Sequence, residues 1–200
     1  MNLNEYQKLA QRTSATIGAD KIKNGCLGLI GETGEIVDAL KKWLFQSGEN
    51  PPFPKEKFIK EMGDVLWYCA EVASGMGWEF GSVMSDVEGC ECAINYDIEL
   101  LSVAISVSAH DAYLAFILEK DHLPPRDCLR MVFGLLKELC RRIHTSIDEV
   151  AHVNIEKLKK RYPDGFDPER SMHRPEYQNS EEGNGGSTEG MLFNARNHLV

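Results

Sequence analysis

Four carboxylates in two pairs, Glu32/Glu35 and Glu61/Asp64, each spaced i, i+3, are the residues of this chain best suited to chemistry. On a helix that spacing turns both members of a pair to one side. Apolar residues recur at helical intervals around them: Leu27, Ile30, Ile36, Val37, Leu40 and Leu44 about the first pair, Phe58, Met62, Val65, Leu66 and Cys69 about the second. The acids interrupt these apolar stripes instead of lying opposite them. Carboxylates so placed are costly to desolvate. A hard divalent cation offsets that cost, because Mg²⁺ binds through a few carboxylate oxygens and keeps waters or phosphate oxygens as its other ligands. If the two helices pack antiparallel, as a connection of about nine residues over 46–54 allows, all four acids surround one point. Such a pocket suits one or more Mg²⁺ or Mn²⁺ ions, which bridge a polyphosphate and acidify a bound water for in-line attack on phosphorus. An acid left free of the metal takes the proton. The competing reading is a solvated helix face, with Glu32, Glu35 and Asp38 paired to Lys41 and Lys42.

The elements that must position these acids are all helical by pattern. Asn2 or Asn4 caps a first helix that Gly18 ends; a second runs from about Asn24 to Trp43 or Phe45, where Pro51, Pro52 and Pro54 forbid continuation. A third starts near Lys55 and stops around 75–77, and a short fourth covers 78–87. A long apolar helix from Cys92 or Ile94 to Leu118, another over 126–144 after a proline turn, and a last over 146–162 complete the chain. Ser146 with Glu149 three residues on is a capping-box pattern for the last of these. No segment alternates as a strand does, so the expected fold is an all-α helical bundle.

An internal echo runs through it. Residues 70–83 resemble 137–150, and 36–40 faintly resemble 109–114 around a shared Asp-Ala. If the halves descend from one helical hairpin, the second has lost its acids, since Cys128 and Met131 stand opposite Glu61 and Asp64. Helical periodicity alone also generates such likeness. The domain reading is therefore an all-α domain over 1–175, with an inserted or degenerate second helical copy at about 88–145, then a flexible Gly/Ser/Glu-rich tail over 176–200.

Composition bounds the function. In 200 residues, 42% are apolar and 26% charged, the profile of a globular protein. A formal net charge of −9 opposes binding to nucleic-acid polymers or acidic membranes. Four of the six cysteines, Cys26, Cys69, Cys128 and Cys140, sit in apolar helical runs and read as reduced thiols, while Cys90 and Cys92 alone make a poor zinc site. The histidines lack metal-ligand spacing, and the acidic pairs lack the Glu-x-x-His of di-iron bundles. No apolar leader opens the chain and no run approaches the ~20 apolar residues of a membrane span, so a cytoplasmic location without membrane partners is expected.

The run Gly31-Glu-Thr-Gly-Glu-Ile-Val-Asp-Ala-Leu-Lys-Lys42, followed after a loop by Glu61-Met-Gly-Asp-Val-Leu-Trp-Tyr68, resembles the MazG-like all-α nucleoside triphosphate pyrophosphohydrolases, whose signature is E-x-x-E, a spacer, then E-x-x-D. Residues 154–166 resemble that family's C-terminal helix and its exit. The likeness covers about the first eighty residues and 146–170. It implies Mg²⁺-dependent hydrolysis of a nucleoside triphosphate, with Mn²⁺ the alternative ion, to a monophosphate and pyrophosphate, serving nucleotide-pool control. By position Glu32, Glu35, Glu61 and Asp64 match the metal ligands, with Glu35 and Glu61 also expected in catalysis. Asn154, Lys157 and Arg161 match polar positions near the phosphates or metal; Tyr68 is expected at the sugar, and Lys41 and Trp43 toward the base. Family members work as dimers or tetramers, so a homodimer, or a pseudo-dimer within one chain, is expected. Two alternatives stay open: phosphoribosyl-ATP pyrophosphohydrolase, and a non-catalytic helical regulatory module with a vestigial site.

Overall fold

The first turn closes on itself: the Asn2 side chain accepts from the Glu5 amide at 2.9 Å while the Glu5 carboxylate accepts from the Asn2 amide at 3.0 Å, a capping box that starts the first helix. The computed structural model describes residues 1–87, 93–118 and 124–169, and no strand occurs among them. In order the helices are α1 (Leu3–Gln11), α2 (Ala19–Gln46), α3 (Lys55–Gly75), α4 (Phe80–Met84), α5 (Ile98–Tyr113), α6 (Pro125–Arg142) and α7 (Ile147–Arg161), α5 being prolonged by a π-helical turn, Leu114–Leu118. Met1–Phe166 form one compact unit. Beyond it only residues 167–169 are described, so the expected tail lies outside the described residues, as do Cys90 and Cys92. Cys26, Cys69, Cys128 and Cys140 are buried thiols outside any disulfide.

Several boundaries depart from the sequence pattern for local reasons. α1 ends at Gln11, well before Gly18, because hydroxyls take over the backbone carbonyls: Thr13 donates to Ala10 at 2.7 Å and Ser14 to Thr16 at 3.3 Å. Gly18, with φ +54°, instead precedes α2, which begins five residues ahead of Asn24. Ser146 caps α7 by accepting from the Glu149 amide, but Glu149 accepts from the Thr145 hydroxyl at 2.7 Å rather than returning to the cap. In α2 the outer leucines of the apolar pattern, Leu27 and Leu44, are exposed.

The bundle is two hairpins set side by side. α2 packs on α3 and on α5, and α5 packs on α6. Gly25 lies against Val72, Gly28 under the Tyr68 ring, and Gly75 against Lys21 and Ile22, so α2 and α3 run antiparallel. α4, which follows α3, rests on α6, whereas α7, which follows α6, rests on α3. The echo in sequence is an echo in packing: Met62 and Leu129, Val65 and Val132, Leu66 and Phe133, Val72 and Leu139 are buried at matching positions. Both helices end alike. Gly77 and His144 take left-handed φ of 69° and 54°, and the next amides, Trp78 and Thr145, donate five residues back at 2.8 and 2.9 Å. The stretch Ile98–Leu118 is, contrary to the sequence expectation, long and apolar enough to cross a membrane by length and composition alone. Its Leu101, Ile105, Ala109 and Ala112 are packed inside the unit.

Candidate metal centre

The antiparallel hairpin brings one carboxylate from α2 to two on α3. Oxygens of Glu32, Glu61 and Asp64 lie within 4.8 Å of one another. Glu61 is buried, and Glu32 and Asp64 are half-buried. Burial, then the charges of Asp64 and Glu61, push the Glu32 carboxyl up to about 7; Lys157 opposes that rise and Glu35 adds to it. Two lysines compensate the acids from opposite directions. Lys57 reaches Glu61 one turn along α3, while Lys157 comes from α7 and donates to both oxygens of Asp64. Asn154, one turn before Lys157 and 2% exposed, donates to Asp64 Oδ1 at 3.1 Å and accepts from the Tyr6 hydroxyl at 2.9 Å. Gly63 makes this approach sterically possible, since a Cβ there would stand 2.9 Å from Asn154 Cβ.

An oxygen-only, partly desolvated donor set of three carboxylates fits a hard divalent ion. The seat beside Asp64 already takes a cation, the Lys157 ammonium. The late helix that the resemblance singles out thus reaches the acids across about ninety residues of chain.

The remaining sequence candidates separate in space. Glu35 is exposed and stands outside the group of three, though near enough to act on Glu32. Tyr68 lies beside the site, its ring over Gly28, one turn before Glu32, and edge-on to Trp67 with centroids 4.8 Å apart. Arg161 is half-buried one turn after Lys157. Lys41 is exposed and bridges Asp38 at 2.5 Å, as Lys42 does, so this part of α2 is the solvated face of the competing reading. Trp43 is eleven residues past Glu32, roughly 16 Å along the helix at 1.5 Å per residue. Its indole donates to Pro51 O at 3.2 Å and it lines an open cleft of about 400 Å³ with Leu40, Leu44, Ile98 and Arg142.

Sequence reasoning missed four contributors. Gly63 had a signal, a glycine inside an apolar helix, and Lys57 had one in its i, i+4 spacing to Glu61. Tyr6 had none, because only tertiary packing brings α1 to Asn154. Glu71, wholly buried two turns past Asp64, accepts from Ser14 at 2.9 Å, from Thr16 and from Lys21 at 3.2 Å, and so fastens the α1–α2 connection to α3.

An all-helical chain whose antiparallel hairpin gathers the first acid of E-x-x-E and both acids of E-x-x-D, closed by a lysine and an asparagine from a later helix, has the build of an α-helical nucleotide hydrolase. The family model for the MazG nucleotide pyrophosphohydrolase domain matches residues 22–88, which include both acidic pairs. Over 81 residues the chain is 35% identical to the Gene 37 protein of Mycobacterium phage L5, a match covering 37% of this chain and 71% of that protein. No solved structure matches. The chain belongs to the MazG nucleotide pyrophosphohydrolase family.

Proposed function

We propose that this protein hydrolyses a nucleoside triphosphate to the monophosphate and pyrophosphate, with Mg²⁺, or Mn²⁺ in its place, held by Glu32, Glu61 and Asp64. The observation that carries this reading is the convergence of those three carboxylates with a lysine from another helix. Bound there, the ion supplies charge neutralisation for the phosphates and a more acidic water. Glu35, exposed at the rim beside Glu32, would serve as the proton acceptor, or would add an oxygen to the ion's shell. Glu61, buried with Lys57 against it, would be held toward the ion. Lys157 and Arg161 bring positive charge to the phosphates of a substrate whose charge the −9 chain would otherwise repel. Tyr68, its ring over Gly28 one turn before Glu32, would meet the sugar. Lys41 and Trp43 meet only the far end of an extended nucleotide.

The same reading extends to assembly and place. Since the acids of α2/α3 are completed by α7, which follows α5/α6, we propose a pseudo-dimer folded from one chain, its second hairpin a degenerate copy, with a homodimer as the alternative. Its substrates would be soluble nucleotides of the cytoplasm rather than a nucleic-acid polymer or a membrane. The test is a panel of canonical and modified nucleotides, phosphoribosyl-ATP among them, incubated with the purified chain and Mg²⁺. Pyrophosphate is the expected product, and the preferred substrate separates nucleotide-pool control from histidine synthesis. Release of orthophosphate alone, or no metal-dependent turnover on any of them, contradicts the proposal.

A further inference from the structure

We propose that Lys157 is a built-in counter-cation, seated on Asp64 until metal enters, so that metal binding and the release of its ammonium toward the substrate phosphates are one event. This rests on the metal-dependent reading above and assigns a mechanism to it. Three carboxylates share the site, and two lysines reach them, Lys57 at Glu61 and Lys157 at Asp64. The two differ. Lys157 engages both oxygens of Asp64, so its charge stands where an ion bound to Asp64 would stand, and its side chain is 22% exposed. Lys57 engages Glu61 within one helix and is 50% exposed, the kind of pair that solvent weakens.

An incoming divalent ion near Glu32 and Glu61 must take an Asp64 oxygen, and it repels an ammonium a few ångströms away. The Lys157 stem is long and partly in solvent, so it can swing aside. Asn154 cannot, being pinned between Tyr6 and Asp64. Displaced on a four-carbon stem anchored one turn past Asn154, the ammonium has the entering polyphosphate as its nearest new partner. The lysine thus disfavours the ion without substrate and favours substrate once the ion is in place.

This role predicts effects of opposite sign. A lysine that only binds phosphate leaves metal affinity unchanged when no nucleotide is present, and one that only braces α7 lowers both metal affinity and melting temperature when removed. Mn²⁺ binding to the full chain without nucleotide, followed by electron paramagnetic resonance of the free ion, separates these cases. Lys157→Met and Lys157→Gln should bind Mn²⁺ on the order of ten-fold more tightly while losing turnover, and Lys57→Met roughly two-fold more tightly. In the wild type, the ¹⁵N signal of the ion-paired Lys157 ammonium should disappear as Mg²⁺ saturates the site, a readout independent of any variant's folding. Unchanged or weaker Mn²⁺ binding in both Lys157 variants, or a Lys157 signal that persists at saturating Mg²⁺, overturns the proposal. If the wild type binds Mn²⁺ and Asp64→Asn weakens it, such a result removes this role alone. A wild type that binds no Mn²⁺ removes the metal reading as well.

Discussion

The hairpin α2/α3 and the hairpin α5/α6 share a packing scheme and differ in what it carries. At the positions of Glu61 and Asp64 the second hairpin has Cys128, 1% exposed, and Met131. Aligning Asp38-Ala39 with Asp111-Ala112 sets Ile105 and Ser108 at the places of Glu32 and Glu35. One buried acid stands in both. Glu71 and Glu138 occupy matching turns, and each has its own cations: Lys21 for the first, Arg141 and Arg142 for the second. An acid kept with dedicated partners is architectural. The triad of Glu32, Glu61 and Asp64 is different: three negative groups crowd together with two lysines, and the strain appears in the raised Glu32 carboxyl. The crossing helices repeat the contrast. α7 brings Lys157 to Asp64, whereas in the opposite crossing the helix partner α6 brings Arg130 to Asp86 at 2.7 Å and to the Val83 carbonyl at 2.6 Å.

The contrast breaks most sharply at the acids. Glu61→Gln should lower pyrophosphate release by roughly a thousand-fold or more, whereas Cys128→Ala, at the matching position, should leave it within about two-fold, both measured as initial rates with Mg²⁺ in excess. Equal losses would mean that the second hairpin is not chemically silent.

The next effect is on stability. Glu71→Ala strands the largely buried Lys21 ammonium and should cost about 3 to 5 kcal/mol in urea unfolding. Glu138→Ala leaves Arg141 and Arg142 with more access to water and should cost less. The reverse order would sink the idea that the first is the deeper lock.

Gly63→Ala addresses the crossing of α3 and α7. Its Cβ meets Asn154, so α7 must shift; the expected result is about 1 to 3 kcal/mol of destabilisation together with at least ten-fold slower turnover. A fully active Gly63→Ala enzyme would show that Asn154 and Lys157 need not sit so close.

The last effect is the dependence on pH. Glu32 titrates near 7 when folded, against about 4.3 in an unfolded chain. The folded state therefore holds that proton more tightly, and the contribution of Glu32 to metal-free stability falls as pH rises from about 4.5 through 7. Over the same window metal affinity should rise, because the ion competes with the proton. Thermal melts of wild type and Glu32→Gln across this range should diverge only there; parallel curves would contradict the shifted carboxyl.

The helices, the hairpin and both acidic pairs were legible because each is a local periodicity, and the family likeness rests on the same residues. The division within the first pair was not. Residues three apart on a helix differ by about 60° in direction, so only one of Glu32 and Glu35 faces α3 while the other looks outward. On α3, covered by α1, α2 and α7, both acids face neighbours. Asn154 and Lys157 were legible only through resemblance, and Tyr6 not at all, since nothing local in α1 announces a hydroxyl bonded to a residue of α7. The ends of α1 and α2 turned on Thr13 and Ser14, whose hydroxyls act as helix breakers only where water or a buried partner such as Glu71 supports them.

In the proposed function the acidic hairpin cleaves a nucleotide between its α and β phosphorus atoms with a divalent ion. Phosphorus NMR of a nucleoside triphosphate incubated with wild-type protein and Mg²⁺ tests it most directly. Monophosphate and pyrophosphate are expected to grow in together, and neither should appear with Asp64→Asn or with chelator. Diphosphate and orthophosphate as products, or undiminished turnover in Asp64→Asn, would contradict it.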